Sequence, residues 1–148
     1  NGFSKAYAMT GWRLGYLAAP PDVIPAMDKV MQHSVGCVNT FAMWGGVAAL
    51  TGDQSCVALM RQEFERRRKF VIGRLAAMGL PTAPAEGAFY AFINCGGDDA
   101  AVANLWLDTA HVAATPGSAF GAPGWIRISY AASMERLEEA MNRIEAVM

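Results

Sequence analysis

Two basic side chains near the start of the sequence have a type and spacing that suit chemistry on a small anionic molecule. Lys5 and Arg13 stand eight residues apart in S-K-A-Y-A-M-T-G-W-R-L-G-Y. Small and apolar residues surround the lysine, and burial among them would disfavour its charged form. The neutral amine that results is the nucleophile that imine formation requires. The residues alone leave a second interpretation open, which is a surface lysine close to a chain end.

A third candidate, Arg127, lies within W-I-R-I-S-Y-A at 125–131, a run typical of a short strand. A planar guanidinium can hold a carboxylate through two parallel hydrogen bonds, and a strand would keep it in a fixed position. The alternative is an ordinary arginine on an edge strand. The stretch P-G-S-A-F-G at 116–121 favours a turn at a pocket entrance over a phosphate-binding loop, because it lacks the strand-to-helix setting of such loops.

The composition argues against other classes of function. His33 and His111 have no Cys or carboxylate neighbours at ligand spacing, so we expect structural roles for them and no metal site. Three widely spaced cysteines indicate no disulfide framework and fit reduced, mostly buried thiols in a cytoplasmic protein. A net charge of −1 argues against nucleic-acid binding. No apolar run reaches the roughly 18 residues that would span a membrane.

The hydrophobic pattern predicts the elements that must position these side chains. A buried strand is predicted over 13–19, where an apolar run stops at Pro20. Further strands are predicted over 87–95, 111–115 and 125–130. A helix that Asp22 can cap is predicted to run to about Ser34, and the apolar, Ala-rich residues 40–51 predict a buried helix. Further helices are predicted from Asp53 to Gly79, from Asp98 to Ala110, and after a capping Ser133.

The order of these elements predicts an α/β fold of two layers, in which helices cover a small mixed sheet. In the long helix, apolar residues recur at helical spacing from Val57 to Met78, which predicts one buried face. The basic run 66–69 on the other face is partly compensated by Glu63 and Glu65. It therefore indicates a solvated helix face rather than a nucleic-acid patch.

The segment around Lys5 resembles the cofactor-lysine segment of fold type I pyridoxal-phosphate aminotransferases, most closely the aspartate and aromatic aminotransferases of class I. G-A-F-Y-A-F at 87–92, V-A-A-T-P-G-S-A-F-G at 112–121 and W-I-R-I-S-Y-A resemble successive elements of the small domain of that family. The resemblance covers essentially all 148 residues. It implies that residues 1–53 are the C-terminal end of the large cofactor-binding domain and that 54–148 form the small C-terminal domain.

The resemblance also implies a role for each candidate residue. Lys5 matches the catalytic lysine that carries pyridoxal 5'-phosphate as an internal aldimine, and Arg13 matches the arginine that binds the cofactor phosphate. Gly2 stands where relatives carry a phosphate-binding Ser, and Ser4 is expected to supply part of that contact. Arg127 matches the arginine that binds the α-carboxylate of the substrate.

The implied function is the transfer of an amino group between an amino acid and a 2-oxo acid by a cytoplasmic homodimer. The residues that contact the cofactor ring lie before the lysine in relatives, so we expect this chain to be an inactive portion of a longer enzyme. Two alternatives are an aminotransferase-like sensor domain of a transcription regulator and a non-catalytic interaction module. M-T-G-W-R-L-G-Y favours the enzyme, because the regulators usually carry a different segment between the lysine and the arginine.

Overall fold

The computed structural model describes residues 1–148 as two compact units, Asn1–Met60 and Arg61–Met148. The helices are Ile24–Ser34 (α1), Thr40–Thr51 (α2), Ser55–Ala77 (α3), Asp99–Asp108 (α4) and Met134–Glu145 (α5). The strands are Tyr90–Asn94 (β1), Thr115–Pro116 (β2) and Trp125–Ser129 (β3). Short 3₁₀ turns occupy Thr10–Trp12 and Gly117–Phe120. The division between the units falls within α3, and the domain boundary after Asp53 stays a prediction about the whole protein.

In the first unit the chain doubles back, so that residues 1–3 lie antiparallel to residues 14–16. Their backbones exchange hydrogen bonds of 2.7 to 3.3 Å around a single bridge. The strand predicted over 13–19 is wrong, because only Gly15 pairs. Arg13 has a φ of 51°, and this left-handed conformation interrupts an extended run.

Helices α1 and α2 begin where local residues satisfy the first turn. Pro25 lies in the first turn of α1, where its missing N–H costs no hydrogen bond. The Asn39 side chain caps α2 by accepting a backbone hydrogen bond of 3.1 Å. Both predicted helices form, but no side chain caps α1, so the expected cap by Asp22 is wrong. No residue of α1 is buried, and α2 buries only Ala42 and Gly46, so the burial expected of 40–51 is wrong. The cysteines are free, and Cys37 and Cys56 are exposed, so the expectation of mostly buried thiols is wrong.

The second unit contains a three-stranded sheet in the order β1-β3-β2, and both pairs of strands are antiparallel. The α/β fold with helices on a small sheet is confirmed, but the expectation of a mixed sheet is wrong. Strands β1 and β2 run in the same direction, yet β3 separates them, so no parallel pair forms. The predicted strand at 111–115 shortens to Thr115–Pro116, because His111 has a φ of 55° and cannot continue an extended strand.

The core of the second unit lies where the sheet meets its helices. Alternate strand residues point into it, so that Ala91, Ile93, Ile126 and Ile128 are buried. The helices contribute further apolar residues at helical spacing, which are Val71, Leu75, Ala103, Trp106, Leu137, Met141 and Ile144. Ser133 caps α5, as the sequence predicts. The outer face of the sheet is left half-buried, and this is the face that carries Arg127.

None of the helices combines the length and the apolar character that crossing a membrane would need.

Candidate active site

Lys5 lies on a closed loop in the first unit, formed by residues 4–13 between the two paired segments. The backbone O of Phe3 accepts hydrogen bonds from the N–H groups of Tyr7 and Met9, each at 3.3 Å, and Ala8 N donates to Lys5 O at 3.1 Å. Phe3 and Met9 are buried and anchor the loop on either side of the lysine. The backbone therefore holds Lys5 in a defined turn.

The Lys5 side chain itself is exposed, so the expected desolvation is wrong for this chain. Phe3 and Met9 occupy the interior beneath the loop, and Ala6 and Ala8 beside the lysine are exposed and too small to cover it. Ser4, the other predicted contact on this loop, is half-buried. The small neighbours thus leave the amine accessible from solvent.

Two glycines let α2 pack closely against the same loop. A Cβ on Gly46 would lie 2.6 Å from Leu14 Cδ2, and one on Gly45 would lie 2.5 Å from the Trp12 ring. Side chains at these positions would push the helix away from the segment that ends the loop. The sequence W-G-G at 44–46 therefore serves the placement of the lysine loop.

Arg13 ends the loop that Lys5 begins. Its Nη1 donates to Thr10 O at 3.0 Å, and its side chain is exposed. It forms no salt bridge with a carboxylate of the chain. The remaining guanidinium donors can therefore bind an anion. The pairing of 1–3 with 14–16 places Lys5 and Arg13 at the two ends of one short loop. Binding of one cofactor by both residues, as the sequence predicts, requires them to lie on the same local structure.

Arg127 lies at the centre of β3 in the second unit, between Phe92 of β1 and Thr115 of β2. Its guanidinium carbon is 4.4 Å from the centre of the Tyr90 ring and 4.3 Å from the centre of the Phe120 ring. No carboxylate pairs with it, although the side chain is half-buried. This arrangement leaves a fixed cation whose N–H edge can accept an external anion.

The turn at 117–120, which carries Phe120, is held by a buried carboxylate. Asp99 in the first turn of α4 accepts a hydrogen bond from Ser118 N at 2.6 Å. That N–H keeps the pKa of Asp99 below its usual value. Gly117 has no room for a side chain, because a Cβ would lie 2.3 Å from Ala122 O. The turn predicted from P-G-S-A-F-G is confirmed.

Sequence reasoning missed Tyr90, Phe120 and Asp99 as parts of this site. Tyr90 pairs with Ser129, which puts it diagonally beside Arg127 on the same face of the sheet. Only the strand register shows this neighbourhood. The motifs G-A-F-Y and G-S-A-F-G contain the two aromatic residues, but nothing in either motif indicates that both rings contact Arg127.

The second unit also has a separate concave region of about 500 Å³. It is lined by residues of α3 between Arg61 and Arg68, by residues 85–88 and by Tyr130. The Tyr130 hydroxyl donates to Ala88 O at 2.7 Å, and burial raises its pKa above the usual value. Arg68 in the same wall is paired with Glu65 at 2.7 Å. None of the predicted site residues lines this region.

The sequence model of the family described as aminotransferase class I and II matches residues 1–144. The chain therefore belongs to the aminotransferase class I and II family. The resemblance found in the sequence is thereby confirmed, and the related structures show the fold type I architecture.

Among curated relatives, an aspartate aminotransferase of Thermotoga maritima is 46% identical over 145 residues, which are 98% of this chain and 38% of the relative. An aromatic-amino-acid aminotransferase of Thermococcus litoralis is 46% identical over 155 aligned residues, covering all of this chain and 40% of the relative. The crystal structure of an aromatic aminotransferase from Pyrococcus horikoshii matches with a TM-score of 0.94 at 47% identity, covering 99% of this chain and 41% of that one. The chain thus spans about two fifths of the length of these relatives.

Proposed function

We propose that this chain is part of a pyridoxal-phosphate-dependent aminotransferase that transfers an amino group between an amino acid and a 2-oxo acid. The observation that carries the proposal is the family match over residues 1–144, which includes the loop of Lys5 and Arg13 and the strand of Arg127. The Arg127 guanidinium, which has two ring contacts and no salt bridge, supports it independently.

The residues of the lysine loop fit the cofactor chemically. An exposed primary amine on Lys5 suits covalent attachment of the cofactor aldehyde, and the Arg13 guanidinium and the Ser4 hydroxyl suit its phosphate. When bound, pyridoxal phosphate supplies an electron sink for the carbanion that forms at the substrate Cα.

Lys5 is the catalytic residue of the proposal. Its Nζ would remove the proton from the substrate Cα as a general base and later return that proton as a general acid. The closed loop supports this role, because five backbone hydrogen bonds within 3–14 hold the backbone that carries Lys5.

Arg127 binds the α-carboxylate of the amino acid in this proposal. Two parallel N–H···O bonds from one edge of the guanidinium would fix both the position and the rotation of the carboxylate. No protein carboxylate competes for these donors, so the substrate does not have to displace an internal ion pair.

The names of the relatives suggest which donors to try. They are aspartate aminotransferases, an aromatic-amino-acid aminotransferase and an aspartate/prephenate aminotransferase. L-Aspartate and L-phenylalanine are therefore the proposed amino-group donors, with 2-oxoglutarate as the acceptor. A homodimer and a cytoplasmic location complete the proposal.

The test is an amino-group transfer assay on the full-length protein that contains this chain. We expect activity with one of these donors and its loss by several orders of magnitude in Lys5→Ala, because both nucleophile and proton carrier disappear. Lys29→Ala is the matched control, since it removes an exposed lysine of helix α1. Equal activity of the two variants would contradict the role of Lys5.

A further inference from the structure

We propose that Tyr90 and Phe120 are positioning residues that hold the Arg127 guanidinium between their rings and so present one edge of it to a carboxylate. This inference rests on the proposed carboxylate-binding role of Arg127. It adds a specificity device, because a cation held in this way accepts a planar carboxylate in one orientation.

The first argument is the geometry of the three side chains. The guanidinium carbon lies 4.4 Å from one ring centre and 4.3 Å from the other, both well within the range of a cation–π contact. Two rings this close to one guanidinium carbon limit its rotation. They also limit the directions from which a ligand reaches its N–H groups.

The second argument comes from Arg67, which also lies over a phenylalanine and serves as an internal comparison. Its guanidinium carbon is 5.3 Å from the centre of the Phe64 ring, and its Nε pairs with Glu63 at 2.7 Å. Arg67 is therefore a half-buried cation satisfied by an acid. Arg127 has two closer rings and no acid, which is the arrangement expected of a cation reserved for an external anion.

The third argument is that backbone contacts, rather than core packing, fix the position of Phe120. Half of this apolar side chain is exposed, so core packing does not explain its position. Instead the backbone fixes it: Asp99 holds Ser118 N, and Gly121 ends the turn with a φ of 72° and a hydrogen bond of 3.1 Å to Ser118 O. A rigid turn that places an exposed aromatic ring over a guanidinium indicates that the ring positions the guanidinium.

The experiment compares Phe120→Leu, Phe120→Tyr and Arg127→Lys in the full-length holoenzyme. Leu107→Ala, which shortens a half-exposed side chain on helix α4, is the surface control. The readouts are KM and kcat for the better of L-aspartate and L-phenylalanine. Dissociation constants for succinate and 3-phenylpropionate, which are carboxylates without an amino group, give a readout independent of turnover.

We expect Phe120→Leu to weaken carboxylate binding and raise KM by about 3- to 30-fold, with little change in kcat, because a cation–π contact is lost while the charge remains. Phe120→Tyr should restore both values, since it keeps the ring. Tyr90→Leu should give the same pattern as Phe120→Leu and serves as the second variant. Leu107→Ala should leave all values unchanged.

Two contrary results are distinguishable. If Arg127→Lys weakens carboxylate binding while Phe120→Leu and Tyr90→Leu do not, the positioning role is wrong and the proposed function stands. If Arg127→Lys itself leaves carboxylate binding unchanged, the role of Arg127 in the proposed function is wrong, and the positioning role falls with it.

Discussion

At the scale of single residues, the proposed chemistry depends on arginines that no carboxylate of the chain pairs with. Arg13 and Arg127 make no salt bridge, whereas Arg66, Arg67 and Arg68 are all paired with glutamates. An arginine without a carboxylate partner keeps its donors for a ligand. Arg61 and Arg136 also make no salt bridge, so this property alone does not identify a functional arginine. The two rings that contact the guanidinium distinguish Arg127.

Replacing Arg127 by Lys tests this distinction. The ammonium keeps the charge but loses the planar pair of donors, so kcat/KM for an amino acid should fall by an amount equivalent to about 2–5 kcal/mol. A decarboxylated amine, such as phenethylamine beside L-phenylalanine, should lose little. Steady-state kinetics of the parent and variant full-length enzymes give both values. Equal losses for the two compounds would mean that Arg127 supports the fold or the cofactor instead.

At the scale of elements, turns and helix surfaces position the site. The 117–120 turn depends on the absence of a side chain at Gly117, where a Cβ would meet the backbone O atoms of Ala122 and Trp125 at 2.3 and 2.7 Å. Backbone atoms cannot rotate away as a flexible side chain can. The turn is therefore the element most sensitive to a single added methyl group.

Gly117→Ala should lower the free energy of unfolding by about 1–3 kcal/mol, because overpacking forces the backbone to shift. The matched control is Gly73→Ala in α3, where nothing lies within 4 Å of an added Cβ. That variant should be neutral or stabilising by up to about 1 kcal/mol. Urea unfolding of both variants decides the matter, and equal stabilities would show that the turn tolerates the methyl group.

The glutamate–arginine pairs of α3 should make the free energy of unfolding depend on pH in the acid range. The guanidiniums of Arg66 and Arg67 lower the pKa of Glu63 to about 2, and Arg68 lowers that of Glu65 to about 2. Both values are lower than the ordinary 4.5 of the unfolded chain. The stabilisation is therefore present at neutral pH and is lost as the pH falls from about 4.5 towards 2.

Urea unfolding of the chain at a series of acid pH values measures this loss. The double variant Glu63→Gln, Glu65→Gln should show a flatter pH dependence between about 4.5 and 2. Glu135→Gln removes a carboxylate that forms no salt bridge and is the control. An unchanged pH dependence in the double variant would show that these pairs do not stabilise the helix.

Sequence patterns predicted the helices well, but strands and side-chain environments poorly. The helices over 40–51 and after Ser133 follow from local caps and spacing, so the sequence determines them locally. The exposure of Lys5 depends on which side chains fill the loop interior, and the rings around Arg127 depend on strand register. Both features depend on tertiary packing, which the periodicity of the sequence does not predict.

At the scale of the whole molecule, the two units differ in how much core they have. Twelve buried apolar residues form the core cluster of the second unit. In the first unit only Phe3, Met9, Ala42 and Gly46 are buried, and it contains fifteen of the nineteen large apolar residues that are exposed. The first unit on its own is therefore the less stable part.

Limited proteolysis of the 1–148 chain should cut first within the first unit, before and after α1, and leave a resistant fragment that includes 61–148. Local opening costs little where few apolar contacts are lost, and protease reaches such segments first. Mass spectrometry of the early products identifies the cuts. Early cleavage inside 61–148 with the first unit intact would contradict this order of stability.

The central claim, that Lys5 carries pyridoxal phosphate, is tested most directly by chemical fixation. The full-length holoenzyme is treated with borohydride, which converts a carbon–nitrogen double bond between lysine and cofactor into a stable bond, and the modified peptide is mapped by mass spectrometry. The account predicts that the cofactor is found on Lys5 and that Lys29 and Lys69, the other lysines of the chain, are unmodified. A cofactor fixed to another lysine, or a protein that binds it without any fixed adduct, would contradict the account.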